Sequence, residues 1–140
     1  MTGATLRRRL RHAGDDRGAS SVELVLYTPL LMLVILVLIQ ASLSWYGNEV
    51  AGATAREVAR IARNGGGTPA ALGEAQSAGA RYAERVGGQG LTDVAVRVEL
   101  VGDDEVRATV SGRSLDLVGG LSPRVSASVQ GPLELFRPDL

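Results

Sequence analysis

The sequence predicts an α+β fold: a long N-terminal helix that begins in a membrane, a second short helix and a three-stranded antiparallel sheet. Three observations carry this. Residues 24–48 contain no charge, and ten consecutive apolar residues fill 30–39. Small apolar residues then recur at helical spacing to Ala62. From residue 91 the apolar period changes from about 3.6 to 2, the signature of strands.

The apolar helix comes first. At 1.5 Å per residue, the uncharged stretch from Leu24 through Pro29, Leu30 and Ile39 to Trp45 and Asn48 reaches about 37 Å, more than a hydrocarbon core of about 30 Å. Trp45 and Tyr46 close it, where amphipathic rings favour the headgroup level. Five arginines and two aspartates precede it in residues 1–18, whereas ten arginines and thirteen acids follow. The positive-inside rule places the basic end in the cytoplasm and the C-terminal part outside it. A chain of 140 residues has no layer thick enough to bury such a helix on all sides. Pro29 removes one backbone hydrogen bond, so a kink or local melting is expected there.

Beyond the apolar run the same helix continues as Ala51, Ala55, Ala59 and Ala62 on one stripe, widened by Val58 and Ile61. Arg56, Glu57, Arg60 and Arg63 occupy the other faces. The stripe suits either a sheet or another helix. Asn64 and three glycines end the helix. Thr68-Pro69 then reads as an N-cap and first helical residue, with Leu72, Ala75, Gly79, Tyr82 and Val86 as the expected inner face up to Gly87-Gly88. Val94, Val96, Val98 and Leu100 alternate with polar neighbours, then Gly102-Asp103-Asp104 turns the chain. Val106, Ala108 and Val110 follow, and Val125, Ala127 and Val129 make a third strand broken at Gly131-Pro132. Residues 115–121 form a short apolar connection, and 133–140 an irregular edge. The organisation is therefore a basic leader at 1–18, a membrane helix continuing into an amphipathic one at 19–64, and a small exported domain at 65–140.

Composition removes several function classes. There is no cysteine, which excludes disulfides, thiolate catalysis and cysteine–zinc sites. The single histidine, His12, lies in the leader, so the exported part has no Ser-His-Asp arrangement. Asp103, Asp104 and Glu105 lack cation-ligand spacing and read as a solvated turn. Gly65-Gly66-Gly67 lacks the Lys-Ser/Thr partner of a phosphate loop. No catalytic set, cofactor or metal site is expected. Formal charges balance overall, which gives no reason to expect nucleic acid. The basic run Arg7–Arg11 is better explained by topology than by lipid or nucleic-acid binding.

The sequence Arg17-Gly18-Ala19-Ser20-Ser21-Val22-Glu23-Leu24 is the most informative. A basic leader ends in glycine, a small residue follows, and one glutamate stands five positions after the glycine. This resembles the processing site of type IV pilins, where a membrane peptidase cuts after the glycine. The resemblance implies cleavage between Gly18 and Ala19, with Glu23 as the fifth mature residue. Glycine offers an unhindered backbone to a peptidase. A carboxylate in a membrane helix costs about 2.5–3.5 kcal/mol at the bilayer centre unless paired. A neighbouring subunit's new α-amino group, with a pKa of about 8, is a fitting partner and would set axial register. Glu23 as a plain boundary acid, or a secretory signal cut after Ala41, are the ordinary alternatives.

More widely, Arg17-Gly18-Ala19, Val22-Glu23-Leu24, Pro29-Leu30-Leu31 and Ala55-Arg56-Glu57-Val58-Ala59-Arg60 resemble the TadE-like family of pilin-like proteins from tight-adherence, Flp-type pilus systems. Val58 stands where that family often has glycine. The resemblance covers roughly residues 17–63 and implies a minor pilin or pseudopilin with a role in pilus assembly. Its implied partners are membrane lipid, a prepilin peptidase, other pilin-like subunits and the assembly machinery. The alternative is an unprocessed, membrane-anchored exported binding module.

Overall fold

The computed structural model describes residues 15–117, 119–120 and 122–133, with side chains from residue 21 onward. Arg7–Arg11, His12 and the C-terminal edge beyond Leu133 lie outside the described residues. The order is α1 (Asp15–Asn64), α2 (Pro69–Gly87), a short 3-10 turn (Gly88–Gly90), β1 (Leu91–Val101), β2 (Glu105–Ser114) and β3 (Arg124–Pro132). The strands form one antiparallel sheet in the order β1-β2-β3. The α+β arrangement expected from the sequence is the one observed.

The chain divides into two compact units, Met1–Leu38 and Ile39–Leu140. In the first, every described side chain is exposed. The helix passes through Pro29 unbroken, so the local melting expected there does not occur. Thr28 Oγ1 donates to the Leu24 carbonyl at 2.6 Å, one of the backbone acceptors in the turn before the proline.

In the second unit the far half of α1 supplies the core. Ala51, Ala55, Val58, Ala59 and Ala62 are buried with Ala75, Leu91, Val96, Val106, Ala108, Val110 and Val125. Alanine allows the helix close to the sheet. Val58, Val106 and Val110 are fully buried, each contributing roughly 1.5–3 kcal/mol. The helix ends in a Schellman motif. The Gly67 N–H donates to the Ala62 carbonyl at 3.2 Å, the Gly66 N–H donates to the Arg63 carbonyl at 3.1 Å, and Gly66 takes φ 65°. Thr68 caps α2 as expected, its Oγ1 accepting from the Ala71 N–H at 3.3 Å with Pro69 in the first turn.

The inner face of α2 keeps Ala75 and Gly79 from the expected set and differs in the rest. Ala75, Gly79, Ala83 and Gly87 are its buried residues, Leu72 and Tyr82 are half-buried, and Val86 is exposed. The reason is proximity. A Cβ at Gly79 would stand 2.3 Å from Val58 Cγ2 and 3.2 Å from Val96 Cγ1, so only the smallest residues fit the seam. Gln76 Nε2 donates to the Val96 carbonyl at 2.7 Å, tying α2 to β1.

β1 has a bulge between Thr92 and Ala95, with Asp93 at φ 51°. Val96 faces the core and Val94 and Val98 pack against it, while Leu100 is exposed. β3 does not break at Gly131-Pro132. It continues through both, with Val106 opposite Gly131 and Glu105 opposite Pro132. β3 is an edge strand, and an edge tolerates a proline whose missing N–H is not needed by a partner.

Candidate functional site

The features with functional content lie along α1. At its start the helical backbone includes both Gly18 and Ala19, the expected processing positions. Glu23 is exposed, one turn further on. From Ser21 to Ile39 all nineteen side chains are exposed, among them Leu24, Leu26, Leu30, Leu31 and Ile39. Soluble monomers rarely leave a contiguous apolar patch above a few hundred Å². A helix apolar on every side and covered by nothing fits a lipid surrounding. Ser21–Asn64 is the one helix among the described residues long and apolar enough to cross a membrane, and its most apolar window is wholly unburied. This marks it as a membrane anchor.

The end of that bare segment is sharply defined. Gln40 Nε2 donates to the Leu115 carbonyl at 3.0 Å, and Gln40 Oε1 accepts from the Leu117 N–H at 3.2 Å. Ser44 Oγ lies 3.5 Å from Ser114 Oγ, and Gly47 is buried. Protein thus covers one side of α1 from Gln40 onward. The fully bare stretch is about 28 Å long, close to the hydrocarbon thickness, and shorter than the uncharged run suggested. Trp45 remains 74% exposed beyond it, as an interfacial ring requires. Tyr46 instead donates its hydroxyl to the Val86 carbonyl at 3.1 Å.

Past Gly47 the alanine stripe turns wholly inward. Ala51, Ala55, Ala59 and Ala62 are all at most 1% exposed, so within this chain they belong to the core shared with α2 and the sheet. Arg56 pairs with Glu49 at 3.4 Å, and Arg60 with Glu57 at 2.7 Å. The hydrogen bond from Arg60 holds the Glu57 carboxyl below the usual carboxylate range, and Glu57 raises the Arg60 guanidinium in turn. These charged side chains form the outer surface of the helix.

The stretch from the glycine, through the bare apolar helix, to the alanine spine is one continuous unit of sequence pattern. Residues 18–60 match the family model of TadE-like proteins. The match begins at Gly18 and ends at Arg60, and thus covers nearly all the residues on which the resemblance rested. No curated protein and no solved structure matches the chain significantly. The sequence missed Gln40, whose side chain marks where the bare helix ends. A lone glutamine after ten apolar residues was the available signal.

Proposed function

We propose that this chain is a TadE-like minor pilin or pseudopilin that takes part in assembly of a tight-adherence, Flp-type pilus. It crosses the cytoplasmic membrane once, with residues 1–18 in the cytoplasm and residues from about 40 outside it. A prepilin peptidase cuts after Gly18, and Glu23 then pairs with the α-amino group of an adjacent pilin-like subunit. Its role is structural rather than catalytic. The observation that carries the reading is the TadE-like match over 18–60, which starts at the proposed cleavage residue itself. The bare helix from Ser21 to Ile39 supports it, because it offers the uncovered surface through which lipid, and then subunits, would be met.

N-terminal sequencing of the protein from its native host tests this. A start at Ala19 is the expected result. An intact leader, or a start after Ala41, would sink the processing step. If Gly18 and Glu23 substitutions leave function untouched, an unprocessed anchored binding module replaces the pilin reading.

A further inference from the structure

Gln40 brings a loop of the exported unit to the level where the bare helix ends. Its side-chain amide holds both the Leu115 carbonyl and the Leu117 N–H. The loop is closed on itself by the Gly120 N–H donating to Asp116 Oδ2 at 2.6 Å, and is joined to β2 by Ser122 Oγ donating to the Ser114 carbonyl at 3.0 Å. Leu117 is 48% exposed there, and Trp45 74%. An apolar loop pinned level with the end of a membrane span has the bilayer as its nearest apolar medium.

The same end of the sheet carries an unbalanced charge. Arg113 of β2 stands opposite Arg124 of β3. Like charges directly opposite destabilise an antiparallel pair. Among the described residues, Asp93 is the carboxylate that pairs with Arg113, its Oδ2 3.8 Å from Arg113 Nε. These three line an open groove with the Ser111 and Ser126 side chains. Two guanidiniums with hydroxyls at hand suit a phosphate, which guanidinium binds in bidentate geometry.

The depths agree. A Cβ at Gly47 would lie 3.3 Å from Ser114 Cβ, which sets this end of the sheet against that turn of the helix. Gly47 is about 12 Å of helix rise beyond Ile39, and Trp45 about 9 Å. The headgroup layer is about 5–8 Å thick on each side, and long amphipathic side chains bridge the remainder.

We infer that the end of the exported unit nearest the span rests on the bilayer, with Leu117 and Trp45 in its interface and the Arg113–Arg124 groove on the phosphate of an anionic lipid. This depends on residues 21–39 crossing a membrane, and on neither processing nor pilus assembly.

The chain has no cysteine, so single cysteines can be introduced for nitroxide labels in the full-length protein. Labels at Leu117→Cys, Val34→Cys and Asp103→Cys would be compared in phosphatidylcholine nanodiscs with and without phosphatidylglycerol, through collisions with oxygen and with a water-soluble nickel complex. The expected oxygen-to-nickel ratio at Leu117→Cys is several-fold above that at Asp103→Cys in the far hairpin turn. Phosphatidylglycerol should raise it further, and Arg113→Gln with Arg124→Gln should abolish that increment. In the unmodified chain, brominated phosphatidylcholine should quench the single tryptophan.

A lipid-exposed Val34→Cys with an aqueous Leu117→Cys would overturn the inference alone. An aqueous Val34→Cys would overturn the membrane anchor with it. A Leu117→Cys label shielded from both oxygen and nickel means a protein partner covers this end, and also overturns it. A phosphatidylglycerol effect unchanged in the glutamine variant overturns the phosphate site.

Discussion

Replacing Gly79 by alanine sets helix propensity against packing at one atom. Alanine is favoured over glycine in a helix interior by about 0.8–1.0 kcal/mol. The added Cβ would stand 2.3 Å from Val58 Cγ2, where carbon atoms prefer about 3.5–4.0 Å. Val58 is fully buried and β-branched, with one strongly preferred rotamer in a helix, so it cannot simply turn aside. Overpacking of this kind costs about 1–3 kcal/mol. Gly73 in the same helix is the control: it is exposed, and a Cβ there meets nothing within 4 Å. Gly73→Ala should therefore stabilise α2 by the propensity term alone. Gly79→Ala should fall below it by about 1–3 kcal/mol, roughly a 5- to 150-fold difference in the local opening equilibrium. Native-state hydrogen exchange of the α2 amides, on the full-length chain in nanodiscs, reads this directly. In a Val58→Ala background the penalty at Gly79 should largely vanish. Equal gains in protection from Gly73→Ala and Gly79→Ala would refute the close seam between α1 and α2.

Other outcomes follow from the same geometry. Gln40→Leu removes two hydrogen bonds and should cost about 1–3 kcal/mol, read as faster exchange at the Leu117 amide with β2 amides little changed. Ala55→Leu pushes a large side chain into the fully buried spine and should destabilise by about 1–3 kcal/mol or more in thermal unfolding, whereas Arg56→Leu on the outer face should stay within about 0.5 kcal/mol. Glu57 has its pKa lowered by Arg60, so the pair's contribution is complete above the unfolded value of about 4.3 and disappears as pH falls through the lower folded value. The difference in melting temperature between the native chain and Glu57→Gln should accordingly close on acidification below that value.

The parts of this fold that were legible in the sequence are those governed by periodicity. The alanine stripe of α1 and the alternation of Val106, Ala108 and Val110 each state which face is buried, the cap at Thr68-Pro69 states where α2 begins, and each holds in the structure. What was not legible depends on how close two elements come. Helical spacing put Leu72, Tyr82 and Val86 on the inner face of α2 with Ala75 and Gly79, yet a seam this narrow keeps Ala75 and Gly79 and adds Ala83 and Gly87 in place of the larger residues. The continuation of β3 through Pro132 depends on its being an edge, which a strand's own sequence does not state. Gln40 belonged visually to the apolar run, and its role needed the loop brought to it from seventy-five residues away.

The use of alanine along the spine of α1 also bears on the order in which the molecule forms. Synthesis runs from N- to C-terminus, so the residues 51–62 exist well before β2 and β3, their partners at 106–110 and 125. Until the sheet arrives, that face of the helix stands uncovered. A stripe of leucines in the same place would present a sticky surface during the interval, when exposed apolar area favours aggregation. Four alanines present little such area. They still give a groove into which a sheet of valines settles once the hairpin has closed, so a waiting template and a finished core are made from the same residues.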